Sequence, residues 1–292
     1  MKTPAYWGVT GFPIAHSLTP RLFDIVGKYL GMADVITIFI EAETVEEFRK
    51  KIDQIEGDIW LSCTTPLKHS IHNYFAFGSE NEVGSVNQLT RINGVWNTTN
   101  TDGIGFISAC KSIGILPNKS ILKLRGGGST ARSIAAAWAA EGGKIATIHG
   151  KRELANGPWD HSIITSDEAK ISIDLDNEVN TLDAEHRVTI SYNEKFSIND
   201  FAIIMLAAQH LEAWRKFYAP EKKEELPSLS FLLEKLSIFN YLSPNTVFIY
   251  CFANMLKICT KHMRRKLPYT IFSMKLNLIF LLTHCSSPIF FP

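Results

Sequence analysis

An α/β fold in two halves is predicted by three observations. Short apolar runs alternate with helix-length segments through the first hundred residues, a later apolar run leads into a glycine turn and an alanine-rich helix, and the chain is long enough for two buried cores. Its 292 residues are 46% hydrophobic and 20% charged, which is a globular composition.

Residues 5–9, 35–40, 58–63 and 84–90 read as short apolar strands, with helices near 18–31, 43–55 and 67–76 between them. Alternation of this kind implies a layered α/β unit with a largely parallel sheet. A helix-length segment from Gly103 to Ile113 then leads through Gly114 and Pro117 to the run Ile121-Leu122-Lys123-Leu124, where the chain is expected to cross into its second half. Next come Gly126, Gly128 and Ala131 in the spacing G-x-G-x-x-A, a helix from Arg132 to Ala140, the pair Gly142-Gly143, and a strand from Lys144 to His149. Strand, glycine turn, helix and strand in that order give the spacing its meaning. The first glycine permits a tight turn, the second lets the backbone approach a pyrophosphate, and the small third position lets helix pack on strand. The helix start offers N–H groups to phosphate. A plain glycine-rich turn is the duller alternative.

The end of that second strand separates the two nicotinamide dinucleotides. A carboxylate there suits the ribose 2′-hydroxyl of NAD, and basic side chains suit the extra phosphate of NADP. The chain reads His149-Gly150-Lys151-Arg152, with no carboxylate before Glu153, so the charge favours NADP over a merely solvated Lys-Arg turn.

The formal net charge of +1 gives no reason to expect a polyanionic partner such as nucleic acid. That average hides an asymmetry: residues 231–292 hold seven Lys/Arg and a single acid, Glu234, whereas residues 1–230 hold 23 basic and 28 acidic residues. Five cysteines, Cys63, Cys110, Cys251, Cys259 and Cys285, show no C-x-x-C spacing and fit a reducing cytoplasm. The start, Tyr6-Trp7-Gly8-Val9, is strand-like and reads as mature structure without a signal peptide.

Three phrases carry chemistry of their own: Gly11 to Pro20 with the hydroxyls of Ser17 and Thr19, Ser62-Cys63-Thr64-Thr65-Pro66-Leu67-Lys68, and Asn100-Thr101-Asp102-Gly103. Each residue has a structural rival role. Lys68 could begin a helix at the surface after Pro66, Asp102 could cap the helix that follows, and Ser17 and Thr19 could cap one starting at Pro20. His16, His69 and His72 read as structural or exposed, since no metal-ligand spacing completes a site.

Together these phrases resemble the shikimate dehydrogenase family, from about residue 5 to about residue 218. Ser17 and Thr19 match the hydroxyls of the family's carboxylate loop, and Ser62 to Lys68 is similar to N-V-T-x-P-x-K. Gly84-Ser85-Val86-Asn87 is similar to G-A-V-N, Asn100 to Gly103 matches N-T-D-G, and Met205-Leu206-Ala207-Ala208-Gln209 matches M-L-x-x-Q. The resemblance implies an N-terminal α/β substrate domain (1–101 and 199–219) and a Rossmann-like cofactor domain (102–198), with a C-terminal helix returning to the first. It implies NADP-dependent reduction of 3-dehydroshikimate to shikimate, a step toward chorismate and the aromatic amino acids, in a cytoplasmic monomer or homodimer without nucleic-acid or membrane partners. Lys68 would be the general acid/base, with Asp102 sharing its proton. Ser17, Thr19, Ser62, Thr64, Asn87, Tyr192 and Gln209 would hold the substrate. Gly126, Gly128, Ser129, Thr130, Ala131, Lys151 and Arg152 would hold NADP, with no metal.

The departures are specific. Ser62 stands where asparagine is usual, Ala202 where glycine is usual, and Arg125 at a normally apolar strand end, and no N-A-T-x-x-G-M phrase lies between His149 and Tyr192. They keep open a non-catalytic shikimate- or quinate-binding regulator, or a quinate/shikimate dehydrogenase using NAD, although a pure binder has no need of a proton donor. Residues 220–292 read as an unassigned basic and aromatic tail, either poorly ordered or aberrant. The run Leu276–Leu282 within it is too short to span a bilayer.

Overall fold

Strand β1 (Tyr6–Gly11) is an interior strand of the first sheet of the computed structural model, which describes residues 3–75, 83–176, 182–193 and 195–240. β2 (Ile36–Glu41) and β3 (Ile59–Cys63) flank it in parallel, and β4 (Gln88–Ile92) and β5 (Val95–Thr99) extend the sheet antiparallel, in the order β2-β1-β3-β4-β5. The parallel alternation expected from the sequence therefore holds for three strands and then reverses. The reversal is made by Asn93-Gly94, both at positive φ (51° and 81°), the backbone that a tight hairpin turn demands. The strand expected from 84 begins only at Gln88, because residues before it are tied elsewhere: the Val86 N–H donates to the Lys68 carbonyl at 2.9 Å.

Alternation along these strands loads both faces. Trp7 and Trp60 point to one side, where α1 (Thr19–Tyr29) packs with Leu22, Phe23 and Val26, while Ile59 and Leu61 point to the other, toward α2 (Val45–Ile52) and α3 (Leu67–Phe75). Pro20 sits in the first turn of α1, and Thr44 caps α2 by accepting from the Glu47 N–H at 3.2 Å.

Helix α4 (Asp102–Ser112) leads to a second sheet, all parallel, of β6 (Ile121–Arg125), β7 (Lys144–Ile148), β8 (Ile171–Asp174) and β9 (His186–Val188) in the order β7-β6-β8-β9. α5 (Ser129–Ala140) connects β6 to β7 as the glycine spacing predicts. Arg125, out of place at an apolar strand end, is the register partner of Asp174 and pairs with it at 2.8 Å.

The chain then returns through α6 (Phe201–Ala213), which continues into a wider π-helical turn, Trp214–Tyr218. α6 crosses α4 closely: a Cβ on Gly105 would lie 2.5 Å from the Gln209 Cβ and 2.8 Å from the Met205 carbonyl oxygen. Residues of α6 enter two cores. Ile204 and Met205 pack with Phe106 and Trp138 of the second half, and Ile203, Ala207 and Leu211 pack with Trp7, Phe23 and Trp60 of the first.

The described chain also differs from the tail expected at 220. After a short 3-10 turn, α7 (Leu229–Asn240) lays Leu232 and Leu236, both fully buried, into the core beside α1 and α6. The composition shifts near 231, but this helix still carries an apolar face, and burial rather than net charge decides where it goes. The compact unit runs Met1–Leu242. The remainder of the expected tail, including Leu276–Leu282, lies outside the described residues, among which no helix is long and apolar enough to cross a membrane.

His210 of α6 is fully buried in an aromatic nest, 4.5 Å from Phe23 between ring centroids and edge-on to Trp214 and Tyr218, and burial pushes its pKa down to about 3. The unfolded chain protonates this imidazole below its usual 6.5 and the folded chain resists, so stability falls progressively as pH drops from about 6.5 toward 3. The full loss is on the order of 5 kcal/mol. His210→Leu is expected to flatten this acid limb in urea titrations followed by tryptophan fluorescence. An unchanged slope between pH 6.5 and 4 would assign acid sensitivity to other groups.

Candidate active site

The carboxyl ends of the first sheet, the start of α4 and one face of α6 surround a cavity of about 180 Å³. Lys68 reaches it from the first turn of α3, and Asp102 from the first residue of α4. Lys68 Nζ donates to Asp102 Oδ2 at 2.5 Å, with the aspartate side chain 2% and the lysine side chain 14% exposed. Asn87 Nδ2 donates to the other carboxylate oxygen at 2.7 Å. The Asp102 carboxylate is thus engaged by side chains from other segments and does not cap its own helix.

The backbone of the Asn100-Thr101-Asp102-Gly103 phrase is satisfied by other groups. Asn100 Oδ1 accepts from the Asp102 N–H at 3.0 Å and from the Ser133 hydroxyl at 2.7 Å, while Ser133 Oγ accepts from the Gly103 N–H at 2.8 Å. Asn87 Oδ1 accepts from the Thr101 N–H at 2.8 Å. The dyad is therefore held by a buried network whose donors are paired.

The same cavity is lined by Ser17, Thr19, Ser62, Thr64, Asn87, Tyr192 and Gln209, so the structure brings every candidate substrate residue into one place. Ser17 Oγ also accepts from the Thr19 N–H at 3.3 Å, a local turn bond ahead of α1, whose N-cap residue Leu18 makes no side-chain cap. Burial raises the Tyr192 pKa, opposed by its hydrogen bonds to the Leu18 backbone and the Ser17 side chain. His16 is exposed at the rim, while His69 Nδ1 lies 3.1 Å from the Gly84 carbonyl. Cys63 is a cavity neighbour of Lys68, but burial pushes its thiol up to about 12, so it is a protonated wall and no nucleophile. Among the described residues no group of His, Cys, Asp or Glu is arranged to hold a metal.

Two residues without a motif signal support the cavity wall: Gln88, which lines it, and Tyr218, which bonds Gln88. Ser62, the departure from asparagine, donates to Gln88 Oε1 at 2.8 Å, and the buried Tyr218 hydroxyl lies 2.6 Å from the same oxygen and 2.8 Å from the Leu61 carbonyl. Gln88 follows Asn87 directly, and because strand alternation places neighbours on opposite faces, the period-2 pattern gave no sign of it. Tyr218 lies 130 residues further along the chain and carried no local signal.

The candidate cofactor residues lie together at the start of α5. Gly126 has φ +110°, and no side chain caps the helix, whose first turn holds Ser129, Thr130 and Ala131. The position a Gly128 Cβ would take is 3.7 Å from Arg152 Nη1. Lys151 is placed differently from the expectation of a phosphate clamp: its Nζ donates to the Asp176 carbonyl at 2.9 Å. Arg132 is the basic group the alanine-rich helix concealed. Burial, and then the neighbouring Arg152 guanidinium, hold it below the ordinary guanidinium range, and its Nε is buried without a hydrogen-bond partner among the described residues. Two crowded guanidiniums beside an uncapped helix start fit a phosphorylated dinucleotide.

Fold and site define a two-sheet α/β protein with a Rossmann-like second sheet and a lysine–aspartate pair between its halves. No family model matches the chain. It is 30% identical over 145 residues to the NADP(+) shikimate dehydrogenase of Alkaliphilus metalliredigens, covering 48% of this chain and 50% of that protein. It is 32% identical over 157 residues to the NADP(+) shikimate dehydrogenase of Aquifex aeolicus, covering 51% and 56%. The chain thus spans about half the length of the curated relatives it matches. Shikimate 5-dehydrogenase of Thermus thermophilus, solved with NADP(H) and shikimate, shares the fold at TM-score 0.61 and 20% identity, over 78% of this chain and 97% of that one. The chain is thus similar in sequence to NADP(+) shikimate dehydrogenases over about half of their length, and it shares the fold of the Thermus thermophilus structure.

Proposed function

We propose that the protein catalyses the reversible, NADP-dependent reduction of 3-dehydroshikimate to shikimate. The observation that carries this reading is the Lys68–Asp102 pair at 2.5 Å, buried in a cavity whose other walls include hydroxyls and amides suited to a small polyhydroxylated acid. In this reading the first-sheet half receives the acid and the second-sheet half the dinucleotide, which supplies a hydride acceptor or donor when bound. Arg152, Arg132 and the α5 N–H groups would hold its phosphates.

Lys68 is the group that moves the proton. In the oxidising direction its neutral amine takes the proton of the substrate hydroxyl, and in the reducing direction its ammonium returns that proton to the ring oxygen. Asp102 orients the ammonium, and Asn87 keeps the carboxylate from rotating away. Ser17, Thr19 and Tyr192 supply hydroxyls suited to the substrate carboxylate, and Gln209 lines the same cavity from α6. Purified protein given shikimate and NADP⁺ should show the absorbance of reduced nicotinamide, with quinate and NAD⁺ as comparisons. Tight shikimate binding without turnover would favour the regulator instead.

The guanidiniums give a separate test. Replacing Arg132 and Arg152 by Gln should weaken NADP⁺ by roughly 10-fold or more and leave NAD⁺ within about twofold, since charge-assisted bonds to a phosphate contribute about 1.5–3 kcal/mol. Lys151→Gln is expected to do less, because it removes a single charge from outside the Arg132–Arg152 pair. Equal weakening of both dinucleotides in calorimetric titrations would place the clamp elsewhere.

A further inference from the structure

We infer that Thr130 is a positioning residue for the proton donor, reaching from the cofactor half into the reaction site; the inference rests on the roles of Lys68 and Asp102 given above. Thr130 belongs to the first turn of α5, where the glycine spacing places a dinucleotide. Its hydroxyl points elsewhere. Oγ1 lies 3.4 Å from Lys68 Nζ and 3.3 Å from Asp102 Oδ2, and the residue lines the same cavity as both.

A hydroxyl has one proton to give, and an ammonium accepts nothing. One arrangement satisfies all three groups: Thr130 accepts from Lys68 and donates to Asp102. Both contacts are longer than the 2.5 Å bond between lysine and aspartate, so their effect is on direction more than strength. With one ammonium hydrogen on Asp102 and a second on Thr130, the third has a fixed direction into the cavity. Without Thr130 the ammonium is held by Asp102 alone and turns more widely about its last bond, so the aim of the transferable proton is loosened. A misdirected proton lowers turnover while leaving ground-state binding nearly intact. The contact also ties the donor to the helix turn suited to the phosphates, so seating of that turn and aim of the proton are one adjustment.

Thr130→Val keeps the shape and removes the hydroxyl, while Thr130→Ser keeps the hydroxyl. In cofactor-free, ¹⁵N-labelled protein, the ammonium hydrogens of Lys68 should exchange with water several-fold faster in Thr130→Val and near the wild-type rate in Thr130→Ser. In kinetics, Thr130→Val should lower kcat by about 5- to 50-fold and displace the pH–rate profile. The shikimate KM and the NADP⁺ Kd should stay within about twofold, and Thr130→Ser should restore most of the rate. Unchanged exchange in Thr130→Val overturns the inference. So does a loss of NADP⁺ affinity proportionate to the loss of turnover, which would make Thr130 a cofactor ligand. If the wild-type protein fails to oxidise shikimate, the proposed function falls, and the exchange measurement still decides whether Thr130 holds Lys68.

Discussion

Lys68→Ala is expected to lower turnover by about 10²–10⁴ fold, the usual worth of a positioned general acid or base, with a smaller change in the shikimate KM. The geometry gives the reason for both parts. Among the described residues Nζ is the one ammonium lining the cavity, so its removal leaves the ring oxygen without this donor, whereas Ser17, Thr19, Tyr192 and Gln209 still line it. The substitution also strands the Asp102 carboxylate, 2% exposed, without its cation, and breaking a buried pair this way costs on the order of 3–5 kcal/mol. Lys68→Met, closer in length, should be measured beside it, with thermal unfolding of both. Near-normal turnover in either folded variant removes Lys68 from the mechanism.

A chain ending at Pro220 is expected to lose most of its stability, whereas one ending at Leu242 is expected to retain shikimate oxidation. Leu232 and Leu236 are fully buried between α1 and α6, and Tyr29 packs edge-on against Phe231 at 5.0 Å. Burying each leucine contributes roughly 1.5–3 kcal/mol, and their removal also uncovers the side chains they pack against. Native domains hold only about 5–15 kcal/mol in all, so loss of the helix consumes a large share. Urea midpoints and sedimentation of the two truncations decide it. A chain ending at Pro220 with an unchanged midpoint would show that α7 contributes nothing to the fold.

What the sequence made legible follows from how local each signal is. The βαβ turn around Gly126 and the span of α5 are short-range matters, and periodicity located them within a few residues. The reversal at Asn93-Gly94 was equally local but fell just past the run read as a strand, so β5 and the antiparallel edge went unseen. α7 was obscured by a charge asymmetry, which says nothing about which face of a helix is apolar. In the site, motif residues from three phrases line one cavity. The partners that complete it, Gln88 with Tyr218 and Thr130 with Lys68, are set by tertiary distance and by the direction of single hydroxyls, and no spacing records either. Arg132 was hidden for a simpler reason: among alanines it reads as a helix-forming surface residue.

The close crossing of α4 and α6 bears on which parts of this chain can change independently. The segment from about 113 to 198 is suspended between two helices that pack directly on each other, like a module held by both ends in a clamp. Changes within it but away from α5, such as in the Asp174 to Asp176 stretch, do not touch the α4–α6 crossing itself. Drift in the second-sheet half is then freest away from α5, because Thr130 and Ser133 in the first turns of that helix bond the lysine–aspartate pair and the backbone that holds it.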